Sequence, residues 1–531
     1  MMPVDAMGAF AAGAMAGDLP PAHAAAQAAV EPDAALLASF TLYLVLVIGI
    51  AVYATRVASG SAAGFFLGGR AMKQVVVALS AVTSGRSAWL LLGLTGLAFM
   101  TGASAVWSVV GYTLMELFLF LFAAPRLRRF TGRRGDITLT DYFVSRLGGG
   151  RGLRALIAAV IAVFMIAYVS AQFTAGGKAF AGTFGLPTAT GVWITAGIVL
   201  FYTVVGGYAA VALSDVVQAV FMLFGLVVLP VIAMASIGWT PMVATLRALD
   251  PSLLDPFSLG IGALVGALAI GLGSPGNPHI IIRYMSIDDP RRLRGAAAWG
   301  TVWNVLMGWG AVSVGLVGRA VYGDVEALPG ADSEQLFPFL AAEYLPAFVA
   351  GLLVAAVFAA IMSTADSQLL VGASAVVRDI YLGLIRGGRR LEEATAVRVS
   401  RWVVLAMCLL AVGLLHVPGI DDVVFWLVLF TWAGLGAAFG PPLLLSLFWK
   451  GTTAAGAAAG VITGTVTTVT WYYTLSAHMY ELIPGFIAST LATWLVSLVT
   501  RKPDDTDSLM ADMRPESDRR PASGNQDGTC P

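Results

Sequence analysis

Charge is what this chain has least of. Asp, Glu, Lys and Arg make up 12% of its 531 residues, against about a quarter in an ordinary soluble domain. Too few charges remain to cover a water-facing surface, so a soluble globular protein of this length is excluded. Cysteine is nearly missing. Cys408 lies in an apolar run and Cys530 near the end, which leaves no disulfide framework and no thiolate metal set. The four histidines are scattered. No Ser/His dyad, paired-Asp motif or His/Glu metal set falls at recognisable spacing, so no enzyme and no organic cofactor is expected. Residues 1–35 lack Lys and Arg, and Asp5 and Asp18 interrupt their Ala-rich stretch. That pattern predicts a disordered arm and not a signal peptide. Residues 501–531 read as a polar tail.

What is present is apolar. Hydrophobic residues make up 58% of the chain, with 60 glycines that suit close helix packing in lipid. A helix crossing about 30 Å of hydrocarbon needs roughly 20 apolar residues. Thirteen runs meet that need, over 36–55, 74–99, 104–124, 155–180, 188–206, 209–236, 257–282, 295–321, 343–374, 402–417, 422–447, 452–476 and 483–500. With the N-terminus outside and the C-terminus inside, alternation places 27 of the 31 Lys and Arg residues on the inner side. That bias is the positive-inside rule. The basic clusters, Arg126 to Arg154 and Arg283 to Arg294 among them, therefore read as topology and not as a nucleic-acid surface. Nothing points to an obligatory protein partner beyond the lipid bilayer.

Two runs are interrupted. The second contains SAVTSGRSA, with Arg86 as its one charge. The seventh contains GLGSPGNP, Gly271 to Pro278, where Pro275 and Pro278 remove backbone donors. Irregular backbone at membrane depth survives only when buried in protein or lining a cavity. The two breaks sit five runs apart and point in opposite directions. An inverted five-helix repeat produces that arrangement, with a solute and ion site at its interface. Repeat one spans about 74–236 and repeat two about 257–417, within a transmembrane domain over 36–500.

Arg86 lies roughly 20 Å along the second run from Lys73, and Asp366 in MSTADSQ lies roughly 18 Å from the inner end of the ninth. Asp215 in the sixth run is a third ionisable group. A mid-membrane Arg costs from about 3 to more than 10 kcal/mol, which a nearby carboxylate offsets, and Asp366 and Asp215 are the expected partners, with a clamp to Asp366 between the second and ninth runs as the structural reading. Snorkelling is a poor alternative at that depth. Glu116 in the third run either faces the bundle or pairs locally.

The stretches FFLGGR, SAWLLLGLTG, LTDYFVSR, YTVVGGYAAVALSDVVQA, NPHIIIRYM, AAIMSTADSQLLV and TWAGLGAAFGPPLLLSLFW occur in that order. Together they resemble the sodium:solute symporter family, in its sodium/proline branch, over roughly residues 40–500. The resemblance implies an all-α, leucine-transporter-like fold of about thirteen helices in a cell membrane. It implies a sodium position at Thr83, Arg86, Ala360, Ser363 and Thr364, with carbonyls from the second helix and hydroxyls from the ninth. A second ion or charge-pair position corresponds to Asp215, Ser363, Asp366 and Ser367. Solute contacts correspond to Trp89, Tyr168, Ile270 and Ser274.

The chain departs from that branch in five places. Gly85 stands where the branch has Asp, Arg86 where it has an uncharged residue, and Asp366 where a hydroxyl is usual. Ile270 and Ser274 replace aromatic residues, which weakens the inference of proline. The expected function is secondary active transport: sodium-coupled uptake of a small organic solute such as proline or another amino acid, with Na+ as coupling ion. Three readings of Arg86 follow. It is a tethered cation that makes transport of a carboxylate or amino acid sodium-independent, a bidentate clamp for a solute carboxylate, or a static partner of Asp366. A transporter-like membrane sensor is the runner-up. It needs an output domain, and only about thirty polar residues follow Thr500.

Overall fold

Every backbone N–H and C=O inside a bilayer must be satisfied within the protein, and a helix does this segment by segment. The computed structural model describes residues 34–57, 62–387, 392–416, 424–476 and 478–515. The expected arm over 1–35 and the tail beyond 515 lie almost wholly outside them. Among the described residues there is no strand, only an isolated parallel bridge between Met72 and Ile287. The principal helices are α1 (Ala34–Val57), α2 (Gln74–Ala88), α3 (Val106–Phe118), α4 (Gly150–Phe184), α5 (Thr188–Ile237), α6 (Ile261–Ala269), α7 (Pro278–Ser286), α8 (Leu293–Tyr322), α9 (Ala347–Ser374), α10 (Glu393–Leu414), α11 (Val424–Phe448), α12 (Ala454–Leu475) and α13 (Leu482–Val499).

Each of the expected runs is occupied by helix, yet only nine helical stretches among the described residues are long and apolar enough to cross a membrane. The difference has local causes. Gln74–Arg134 and Thr188–Ile237 each join two expected runs. The first is interrupted at Gly102 (φ 67°) and the second at Gly207 (φ 58°). The seventh run is cut by its own break into α6, a 3-10 stretch over Ile270–Gly276, and α7. Threonine-rich α12 is not among the nine.

α9 is the axis of the bundle, buried on every face from Leu353 to Ser374. It packs against α5, α4, α1 and α2. The two broken elements are antiparallel. The start of α2 is tied to the end of α7 by Met72 N–H to the Ser286 carbonyl (3.2 Å), by Asp288 N–H to the Met72 carbonyl (3.0 Å), and by the Lys73–Asp288 ion pair (2.9 Å). Near that end, Arg154 bridges Asp141 (2.9 Å) and Asp379 (2.6 Å), and Arg378 adds a bond to Asp141 (3.0 Å). The first part of the tail is ordered: Thr506–Ala511 forms a helical turn, Leu509 and Met513 are buried, and Arg134 pairs with Asp512.

Candidate functional site

The break in α2 is a single residue. Ser87 has φ 52° and ψ −169°, a conformation that β-carbon sterics disfavour and that marks a constrained position. The Ser87 hydroxyl accepts Trp89 N–H (3.2 Å), and Ala88 N–H goes out of the helix to Gln172 Oε1 on α4 (3.2 Å). Four residues before Ala88, the Ser84 carbonyl accepts a bond from the Thr364 hydroxyl of α9 (3.1 Å). In return the Ser84 hydroxyl donates to the Ser363 carbonyl (2.6 Å). Beyond the break the helix continues through a π-helical turn, Trp89–Gly93, a feature frequent at functional sites.

The second break is held by close packing and one cap. Asn277 donates from Nδ2 to the Gly273 carbonyl (2.8 Å), and its own carbonyl accepts Ile280 N–H (3.0 Å) to start α7. Trp432 of α11 donates its indole N–H to the Ile270 carbonyl (2.8 Å). A β-carbon on Gly273 would stand 1.9 Å from that indole nitrogen, and one on Gly271 would stand 2.2 Å from the Gly111 carbonyl oxygen. Only glycine lets these backbones approach.

Between the breaks lies a narrow cavity lined by Gly85, Arg86, Ser87, Trp89, Tyr168, Ile270, Val428, Leu429 and Trp432. Its volume is about 10 Å³, room for about one water. Trp89, Tyr168 and Ile270, expected as solute contacts, line it together. Ser274 does not; it is buried and its hydroxyl has no partner. The Trp89 indole N–H is likewise buried without a partner. Phe425 stacks on Trp89 at 6.1 Å between ring centroids. The start of α11 is pinned there, because Glu334 accepts Phe425 N–H (2.7 Å), Val424 N–H (3.3 Å) and the Lys178 ammonium (2.7 Å). A larger apolar groove of about 320 Å³ runs between α1 and α5 beside the exposed rings of Trp193 and Phe201, a surface suited to lipid.

The ionisable groups are arranged differently from the sequence expectation. Arg86 pairs with Glu116 of α3 and not with Asp366 or Asp215. Its Nε donates to Asn304 Oδ1 of α8 (3.0 Å), Asn304 Nδ2 donates to Glu116 Oε2 (2.6 Å), and the guanidinium lies 3.6 Å over the Tyr112 ring. All of this is buried. The tethered-cation reading of Arg86 is therefore corrected: its guanidinium makes no hydrogen bond to Ser363, Thr364 or Asp366. A β-carbon on Gly85 would stand 3.2 Å from Ile280 Cδ1 and 3.4 Å from Glu116 Oε1, so Ile280 and Glu116 share the space toward which a side chain at 85 would point.

The guanidinium that meets the acidic cluster is Arg283 of α7, which the charge count had assigned to topology. It pairs with Asp215 of α5 at 3.1 Å. The same Nη2 reaches Ser84 Oγ (2.6 Å) and Ser367 Oγ, and Nε reaches Ser80 Oγ (3.0 Å). Ser80 also donates to Asp215 Oδ2 (2.5 Å). Asp366 accepts from Ser367 Oγ at Oδ1 (3.0 Å) and has no partner at Oδ2. Of the expected sodium position, Ser363 donates to the Ala360 carbonyl (3.0 Å) and Thr83 to the Leu79 carbonyl (2.7 Å). The neutral and anionic oxygens of this seam suit a hard cation.

Long apolar helices, two of them broken and antiparallel around a buried polar seam, define a polytopic membrane protein of the class that carries solutes and ions at broken helices. Comparison with known proteins narrows the class. The model of the sodium:solute symporter family matches residues 65–464. The sodium/proline symporter of Staphylococcus aureus strain USA300 / TCH1516 is 38% identical over 475 residues, 87% of this chain and 92% of that one; that of strain JH9 is 37% identical over the same lengths. Among solved structures, a Na+-coupled sialic acid symporter in a substrate-bound outward-open state superposes with a TM-score of 0.76 at 17% identity, over 88% of this chain and 98% of that one. A nucleobase-cation-symport-1 family transporter in a closed conformation with bromovinylhydantoin bound gives 0.51 at 15% identity, over 84% and 98%. The chain belongs to the sodium:solute symporter family and is a multi-pass membrane protein.

Proposed function

We propose that this protein couples inward movement of one small solute, proline or a close amino-acid relative, to the sodium gradient. The observation that carries the reading is the exchange of hydroxyls and carbonyls between α2 and α9 at Ser84, Ser363 and Thr364. It gathers oxygens from two buried helices at a helix break. Sodium would be held by the carbonyls of Thr83, Arg86 and Ala360 and the hydroxyls of Ser363 and Thr364. The solute would lie between Trp89, Tyr168 and Ile270. The cavity as it stands holds about one water, so loading requires α11 and Phe425 to withdraw from Trp89. Thirteen crossings, with the N-terminus outside, complete the proposed topology, and the inverted repeats over about 74–236 and 257–417 supply the moving halves.

The test is uptake of radiolabelled proline by proteoliposomes, with sodium and proton gradients imposed separately. Accumulation should follow the sodium gradient. Ser363→Ala removes one ion ligand, and at about 1.5–3 kcal/mol for a bond to a charged group the half-saturating sodium concentration should rise by about tenfold or more. Equal accumulation with and without sodium overturns the reading.

A second reading rests on Arg86 lining the cavity. A solute carboxylate would share that guanidinium with Glu116. In that case Arg86→Met raises the KM for proline and leaves the sodium dependence unchanged.

A further inference from the structure

The helix that continues α3 ends in the stretch Ala124–Arg134, where five of eleven residues are arginine. The positive-inside pattern accounts for their side of the membrane but not for their partners. Arg128 donates to the Ile287 (2.7 Å) and Asp288 (3.2 Å) carbonyls. Arg129 and Arg133 donate to carbonyls of the docked tail segment, at Met513 and Asp512, and Arg134 pairs with the Asp512 carboxylate (2.9 Å). Arg126 differs. Its Nη1 donates to the Leu447 carbonyl (3.1 Å), and its guanidinium lies 4.4 Å over the Phe448 ring. Among the described residues no carboxylate pairs with it. The charge that acts on it is a like one, Arg514 on the exposed end of the docked segment.

On the apolar side of Arg126 the surface is aromatic. Phe118 touches Phe122 (5.5 Å between ring centroids) and Phe448 (5.9 Å). The rings of Phe118, Phe122 and Phe448 are 36%, 54% and 39% exposed. Exposed rings on helices long and apolar enough to cross a membrane face acyl chains. An apolar wall that ends on two uncompensated guanidinium groups complements an amphiphile with an anionic head. Guanidinium groups match phosphate oxygens bidentately, and clustered cations at a membrane surface attract anionic lipid.

We propose that this surface binds one anionic phospholipid, with its phosphate between Arg126 and Arg514 and an acyl chain across Phe118, Phe122 and Phe448. The lipid ties together three segments: the end of the helix that continues α3, the end of α11 that carries Phe448, and the docked tail. A zwitterionic phospholipid offers the same phosphate but brings an ammonium to a place that already holds two cations. The charge therefore selects a headgroup without one.

The test titrates dioleoylphosphatidylglycerol and, separately, dioleoylphosphatidylcholine into delipidated full-length protein in detergent micelles, with bound lipid counted by native mass spectrometry. Wild type should bind its first phosphatidylglycerol more tightly than its first phosphatidylcholine. A cation near a membrane surface contributes about fivefold, so Arg126→Gln with Arg514→Gln should weaken phosphatidylglycerol by about 25-fold and phosphatidylcholine by less. Phe122→Ser should weaken both lipids. Arg291→Gln with Arg294→Gln removes two exposed charges beside the start of α8 and should change neither. No headgroup preference in wild type, or unchanged binding by Phe122→Ser, overturns the proposal. So does an equal loss in the two double variants, which would mean diffuse surface charge. Displacement of the lipid by excess glycerol phosphate overturns it too, because a free phosphate would then suffice. Arg514 is exposed, so Arg514→Gln alone should still weaken phosphatidylglycerol about fivefold if the Arg126 variant does not fold, and no change there counts against the site equally.

Discussion

Neutralising Glu116 should destabilise the protein more than deleting Glu116 and Arg86 together. The two side chains are 1% and 2% exposed and form an ion pair. Two unit charges about 4 Å apart at an effective dielectric near 20 attract by about 4 kcal/mol, in line with the roughly 3–5 kcal/mol lost when one partner of a buried pair is removed. Glu116→Gln keeps the shape and offers Arg86 a neutral oxygen, so it reads the charge contribution. Arg86→Met strands the carboxylate instead and adds the loss of the Tyr112 cation–π contact, about 0.5–2 kcal/mol. Arg86→Met combined with Glu116→Leu strands no charge. Its lost attraction is offset by the desolvation no longer required, and replacing a buried pair by apolar groups is often neutral. Asn304, left with two orphaned amide atoms, limits the recovery.

Five proteins, with Glu116→Leu added as the single variant that closes the cycle with the double, should be compared by reversible unfolding in mixed micelles, followed by tryptophan fluorescence. Each single variant should lose about 3 kcal/mol or more, and the double variant should recover at least about 2 kcal/mol relative to the sum of the singles. Additive losses would falsify the reasoning. They would mean that the guanidinium is already solvated from the cavity side, and that Arg86 belongs functionally to the solute site.

Two further outcomes follow from the packing and from one loop carboxyl. Gly273→Ala should displace the Trp432 indole, whose nitrogen lies 1.9 Å from where the new methyl would stand. Overpacking of about 1–3 kcal/mol and loss of the bond to the Ile270 carbonyl should abolish uptake while leaving the protein in the membrane; normal uptake kinetics would contradict the geometry. Asp136, in the loop after Arg134, is pushed up to about 6 by burial, against the bond from Ser145. Its folded value lies above the ordinary carboxylate range, so its contribution to stability is complete below about pH 4 and is lost as pH rises through about 6. Asp136→Asn should flatten that slope in melting temperatures recorded from pH 4 to 7, and an unchanged slope would place the titration elsewhere.

Much of the fold is legible because the bilayer allows so few solutions. Scarce charge and long apolar runs leave helices as the way to satisfy the backbone, and GLGSPGNP and the stretch around Ser87 break where the letters suggest. The clustering of Ser84, Ser363, Thr364, Asp215 and Ser367 was also within reach, since small hydroxyl residues in mid-helix need partners. The ion pairs were not. Arg283 was absorbed into the positive-inside count, although it sits only five residues after Pro278, directly at the end of the seventh apolar run. The i,i+4 serines at 80 and 84, and at 363 and 367, were the available signal that two helix faces converge on a polar guest.

The partner of Arg86 follows from helix phase, once one contact is known. Residues advance by about 100° each around a helix, so Ser80 and Ser84 share a face and Arg86 lies about 200° from Ser84, on the opposite side. Ser84 is bonded to Ser363 and Thr364 of α9. A side chain at 86 on the same helix must then face away from α9, toward α3 and α8, where Glu116 and Asn304 stand. The backbone carbonyl has no such restriction, because carbonyls run along the helix axis, and the kink at Ser87 frees those nearby from regular pairing. The Arg86 carbonyl accepts Trp89 N–H beyond the break, while its guanidinium turns to the wall opposite α9. The depth estimate that matched Arg86 with Asp366 measured position along the membrane normal and ignored rotation about it, and rotation decided the pairing.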